Sequence, residues 1–133
     1  MTASPVTIGR DQTLTVAHKL MREHRIRHLP VLERGRLVGI VSQRDLHFVE
    51  TLRDVDPSVV LVEDAMTEPP FTVAPGARLE TVAREMAARR IGSAVVVERG
   101  KVVGVFTAVD GLRGLADVLA RPATAQRLRR RAG

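Results

Sequence analysis

Between residues 14 and 24 the apolar positions Leu14, Ala17, Leu20 and Met21 recur at three- and four-residue steps with polar side chains between them, which predicts an amphipathic helix. The period then shortens. In LPVLERGRLVGIV, residues 29–41, two β-branched runs meet at Arg-Gly, and Gly35 supplies the positive φ that a tight hairpin turn demands. Polar Ser42 opens a further helix that ends near Leu52. The same order returns in the second half: Leu79, Val82, Ala83, Met86 and Ala87 at helical steps, then the hairpin AVVVERGKVVGVF around Gly100, then a helix opened by Thr107 and closed before Arg121-Pro122.

The two halves are copies. Residues 1–48 slide onto 66–113 without a gap and match at Met1, Thr2, Pro5, Thr7, Leu14, Met21, Arg25, Ile26, Val31, Glu33, Arg34, Gly35, Val38, Gly39 and Asp45. Conservative pairs such as Ile40 with Val105 and Ser42 with Thr107 extend the match, and self-similarity at a fixed offset outranks any local reading. The division is a first repeat over 1–53, a connector over 54–65, a second repeat over 66–120 and a tail over 121–133. Each repeat reads strand, helix, strand, strand, helix. A unit of about 50 residues buries too little surface to stand alone. The expected fold is therefore α+β, two β-α-β-β-α repeats packed sheet to sheet about a pseudo-two-fold, with equivalent hairpin-to-helix turns beside a central cleft.

Composition narrows the chemistry. The chain has 133 residues, 44% of them hydrophobic, and no cysteine, which removes disulfides, thiolate metal sites and thiol catalysis together. The first ten residues, MTASPVTIGR, hold no apolar leader, and no window reaches the roughly 18 apolar residues of a membrane span, so the expectation is a cytoplasmic protein without membrane contact. Of the 21 basic residues, six arginines lie in HRIRH (24–28) and RLRRR (127–131); the remaining 15 equal the 15 acids, so the net charge of +6 is local. Such patches attract phosphate. Nucleic-acid binding through the tail is one alternative, although an aromatic content of 2% supplies few stacking platforms. A pure interaction module, using the helical faces Leu14–Met21 and Leu79–Met86, is another.

Enzymatic chemistry finds no support, since no histidine pairs with a carboxylate in a recognisable arrangement. His24 and His28 have the i, i+4 spacing of a metal pair, but the repeat ends the helix near Arg25 and puts His28 on a strand; no metal site and no required cofactor are expected.

The repeated turn carries two readings. Ser42 with Asp45, and Thr107 with Asp110, have capping-box spacing, which by itself only starts a helix. The same backbone also offers free N–H groups to a phosphate, and a nearby aspartate suits the two hydroxyls of a ribose. An apolar slot for adenine is available around Leu29 to Val31, Ile40, Ala94 to Val96 and Val105, with Arg25, Arg27, His28 and Arg44 as cations around the first unit and Arg89 and Arg90 around the second.

RIRHLPVLERGRLVGIVSQRDL and its looser copy RIGSAVVVERGKVVGVFTAVD resemble the cystathionine β-synthase (CBS) domain, and their tandem arrangement resembles the paired Bateman module over nearly the whole chain. The resemblance implies regulatory binding of AMP, ADP, ATP or S-adenosylmethionine, homodimer formation and signalling to an effector protein. By position it implies that Asp45 and Asp110 hold ribose hydroxyls, that Ser42 and Thr107 lie at the phosphate or ribose, and that Thr7 and Thr72 lie on the base or ribose side. The stretches His28, Leu29, Pro30 and Ser93, Ala94, Val95 would border the base. Gly92 and Ser93 replace Arg27 and His28 in the second copy, and Phe106 replaces Val41, where its bulk is expected to take space from an adenine slot. Unequal sites are the expectation.

Overall fold

The computed structural model describes residues 2–3 and 5–121. The arginine run at 127–131 lies outside the described residues. The chain forms β1 (Thr2–Ala3), β2 (Ile8–Gly9), α1 (Leu14–His24), β3 (His28–Glu33), β4 (Arg36–Ser42), α2 (Gln43–Glu50), a 3-10 turn (Val62–Asp64), β5 (Thr72–Val73), α3 (Leu79–Arg89), β6 (Ser93–Glu98), β7 (Lys101–Thr107) and α4 (Ala108–Leu119). This is the α+β fold of two β-α-β-β-α repeats. Among the described residues no helix is long and apolar enough to cross a membrane.

Within each unit the short first strand runs parallel to the hairpin's first arm: β2 pairs β3 at Ile8–Val31, and β5 pairs β6 at Val73–Val96. Both hairpins turn through two residues of positive φ, Arg34 (50°) with Gly35 (77°) and Arg99 (53°) with Gly100 (77°). That is the conformation whose twist matches its flanking strands.

The sheets exchange edges. β1 pairs not with its own unit but with β7, Thr2 opposite Val105. The equivalent segment of the second unit crosses the other way, where Thr67 and Ile40 exchange N–H···O bonds of 2.8 and 3.0 Å. The 65-residue offset converts one pairing into the other. Gly39 makes room for this crossing: a Cβ there would stand 2.6 Å from Met66 Sδ and 3.0 Å from the Thr67 carbonyl oxygen.

The cores are uneven. Leu14, Ala17 and Met21 of α1 pack with Ile8, Leu29, Val31, Val41 and Leu46, and the buried Val62 joins them from the segment between the units. That segment is tied down by Val62 N–H to Gln12 O (2.7 Å) and by Arg10, whose guanidinium bridges Glu33 and Glu63 at 2.9 Å each. In the second unit Val82, Met86 and Ala94 form a smaller cluster. Leu79, expected on the inner stripe of α3, is 58% exposed, and α4 buries no residue. Strands β3 and β4 both contact β7, so the units meet through their sheets.

Candidate ligand-binding site

Each closing helix begins with a complete capping box. Ser42 Oγ accepts from Asp45 N–H (3.0 Å) and Asp45 Oδ2 accepts from Ser42 N–H (2.8 Å); Thr107 and Asp110 repeat this at 3.2 and 2.9 Å. The first helical N–H is also used, Gln43 donating to the Arg27 carbonyl and Ala108 to that of Gly92, both at 2.9 Å. Of each opening turn, the Arg44 and Val109 N–H groups make no hydrogen bond among the described residues. The box consumes one oxygen of Asp45, and a carboxylate offers about four lone-pair positions, so capping and ligand binding are compatible there.

Two cavities lie against these turns. The smaller, about 390 Å³, takes Val105, Thr107, Val109, Asp110 and Arg113 from the second unit, and Pro5, Val6 and residues 25–28 from the first. The larger, about 660 Å³, takes Ile40, Ser42, Arg44 and Asp45 from the first unit and Phe71 with residues 89–93 from the second. Shifting by 65 residues turns Val105, Thr107 and Asp110 into Ile40, Ser42 and Asp45, and Val6 and Arg25 into Phe71 and Arg90. The cavities are thus composite and correspond in part: each sets one unit's capped turn against the other unit's helix end and strand start, and the larger is lined in addition by Thr107, Ala108 and Val109 of the second unit's turn.

Both units contribute cations to each cavity, with Arg27, His28 and Arg44 of the first unit beside Ser42 and Asp45 in the larger one and Arg113 of the second unit in the smaller. Arg25, Arg27 and His28 share a cavity with Thr107 and Asp110, while Ser42, Arg44 and Asp45 share theirs with Arg89 and Arg90; Arg27 and His28 reach both. Phe106 is reassigned: it packs on the second unit's core and against α4 near Gly111, and leaves the cavities free. Ser93 lines the larger cavity. Leu29, Pro30, Ala94 and Val95 are buried in the sheets and line neither cavity. Thr7 lines a third depression, of about 780 Å³, with residues 8–11 and 32–35, and Thr72 lies exposed on β5. Pro5, Val6, Phe71, Val109 and Arg113 are lining residues that sequence reasoning missed. The signal was the 65-residue offset, applied with the two halves exchanged.

His28 occupies the wall between the cavities, opposite Ser42 in the β3–β4 register. Burial pushes its pKa below the ordinary value, opposed by the charges of Asp45 and Asp110 and assisted by Arg27. Its counterpart Ser93 carries no charge. Where Gly92 stands in place of an arginine, the open Cβ position lies 3.7 Å from His28 Nε2.

The CBS domain family model matches residues 1–49 and 62–117. An inosine-5'-monophosphate dehydrogenase of Korarchaeum cryptofilum is 38% identical over 106 residues, 79% of this chain and 21% of that protein, so the chain spans about a fifth of the enzyme's length. The CBS domain pair of protein MJ0100, solved in complex with 5'-methylthioadenosine and S-adenosyl-L-methionine, superposes with a TM-score of 0.80 at 26% identity, covering 88% of this chain and 92% of that one. A hexameric CBS-CP12 protein from bloom-forming cyanobacteria reaches a TM-score of 0.79 at 31% identity, over 92% and 73% of the two chains. With the family model matched over both repeats and most of the chain, and CBS domain pairs among the structures that superpose on it, the chain belongs to the CBS domain family as a tandem pair.

Proposed function

We propose that this CBS pair is a regulatory module that binds adenosine-containing ligands, AMP, ADP, ATP or S-adenosylmethionine, and passes their occupancy to a partner protein without chemistry of its own. One observation carries the reading: each cavity combines an aspartate at a helix start, an N–H group of the same turn with no acceptor among the described residues, apolar strand residues and arginines from the opposite unit. These suit the sugar, phosphate and base of a nucleotide in turn. The adenosyl ligands of the MJ0100 pair support the same class. A ligand in either cavity touches both units, so its affinity depends on their relative tilt, and tilt is what a partner reads. The exposed apolar side chains of α4, Val109, Leu112, Leu115 and Val118, supply the contact for a cytoplasmic homodimer.

A thermal-shift panel of AMP, ADP, ATP, S-adenosylmethionine, NAD and short DNA tests this. A ligand at a hundred times its dissociation constant adds about 2.7 kcal/mol to native stability. Asp45→Asn combined with Asp110→Asn is expected to remove most of that response, since a hydrogen bond to a charged group contributes about 1.5–3 kcal/mol. A double variant that melts earlier yet responds to nucleotide undiminished would reduce the aspartates to helix caps and sink the proposal.

A further inference from the structure

The fold brings together a histidine and a carboxylate that the sequence keeps 32 residues apart: His18 Nε2 on α1 lies 2.6 Å from Glu50 Oε1 on α2. His47, on the same helix as Glu50, stacks on the His18 ring with centroids 5.9 Å apart and planes 27° from parallel. Residues three apart on a helix share a face, so α2 presents an imidazole and a carboxylate together. The core fixes the backbone that carries them, since the neighbours Ala17 and Leu46 are fully buried. The side chains themselves stay open to solvent, His18 at 26% and Glu50 at 23% exposed.

The repeat shows that the fold does not require this cluster. A shift of 65 residues puts Ala83, Leu112 and Leu115 at the three places, so the second copy closes its unit with no polar side chain at any of them. Two imidazoles and a carboxylate are a donor set for zinc and its neighbours in the first transition row. Tetrahedral bonds of about 2.1 Å put two ligand atoms about 3.4 Å apart, so an ion enters between His18 and Glu50 when they part by less than about 1 Å. Among the described residues no three such side chains already converge on one point, and His47 must turn its ring to complete the set. It has room to do so, being exposed and lining the larger cavity.

We propose that His18, His47 and Glu50 form a site for a divalent transition metal on the α1–α2 face of the first unit. His18 and Glu50 bind through Nε2 and Oε1, the proton between them leaves to solvent, and His47 supplies the third ligand, with the fourth position left to water. The site does not depend on what the cavities bind.

The test is calorimetric titration of the metal-free full chain, without an affinity tag, with zinc chloride and with cobalt chloride, whose visible absorption reports imidazole coordination. The wild type should take up a single equivalent and release protons as it does so. Outer-shell partners of a metal already account for about 10–100-fold in affinity, so losing a direct ligand in His18→Gln, His47→Gln or Glu50→Gln should weaken zinc at least about a hundredfold. His47→Gln is the decisive variant: it leaves the His18–Glu50 contact in place and, at an exposed position, should shift the metal-free melting temperature by no more than a few degrees. His24→Gln, at the far end of α1, should match the wild type. A chain that takes up no zinc, zinc affinity that survives any of the three ligand substitutions, or affinity lost in His24→Gln would each overturn the site.

Discussion

Protonating His28 means charging a ring held between two sheets, within the fields of Asp45, Asp110 and Arg27. Burial wins and depresses the folded pKa below the ordinary 6.5, so below that value the unfolded chain binds this proton more readily than the native one. The His28 contribution to stability is therefore present above about pH 6.5 and is lost as the pH falls toward the depressed folded value. Denaturant midpoints measured between about pH 7 and pH 5 should drop for the wild type by more than for His28→Gln, and parallel slopes would refute the assignment. At this scale the sequence was a partial guide. The Ser/Thr and Asp of each turn are legible from spacing because a capping box is local, within one helical turn. Which arginine meets which aspartate depends on how two units dock, and no local pattern encodes that.

Among the elements, the helices and hairpins were readable because burial on one face imposes a period, and because Arg-Gly at 34–35 and 99–100 fits a turn with two left-handed residues. The edge exchange was not readable. A two-residue strand such as β1 has no period, and its partner Val105 lies at the far end of the chain. The one local trace is glycine at 39 and again at 104, inside strands that a side chain would ordinarily strengthen. Because a Cβ at 39 meets the crossing Met66–Thr67 segment, Gly39→Ala should destabilise the protein by about 1–3 kcal/mol in urea denaturation. A neutral or stabilising result would show that the crossing segment yields without cost.

For the molecule as a whole, stability is unevenly shared. Leu14, Leu29 and Leu46 are fully buried in the first unit, each contributing about 1.5–3 kcal/mol, while the second unit rests on a smaller cluster and leaves α4 open on its apolar side. If that side closes a homodimer, Leu112→Glu with Leu115→Glu should convert a dimer to a monomer in sedimentation velocity while the nucleotide response persists. An unchanged sedimentation coefficient would place the dimer contact elsewhere. The unequal cores follow from composition, since Leu20 and Leu29 of the first copy face Glu85 and Ala94 in the second.

The exchanged edges have a mechanical consequence. Thr51 to Asp54 form an exposed stretch after α2, an obvious place for a protease to cut. A cut there frees no half-molecule, because either fragment still has a thread woven into the other's fabric. The pieces come apart only when both weaves unravel, so the smallest part of this protein that behaves as an independent body is the intact doublet.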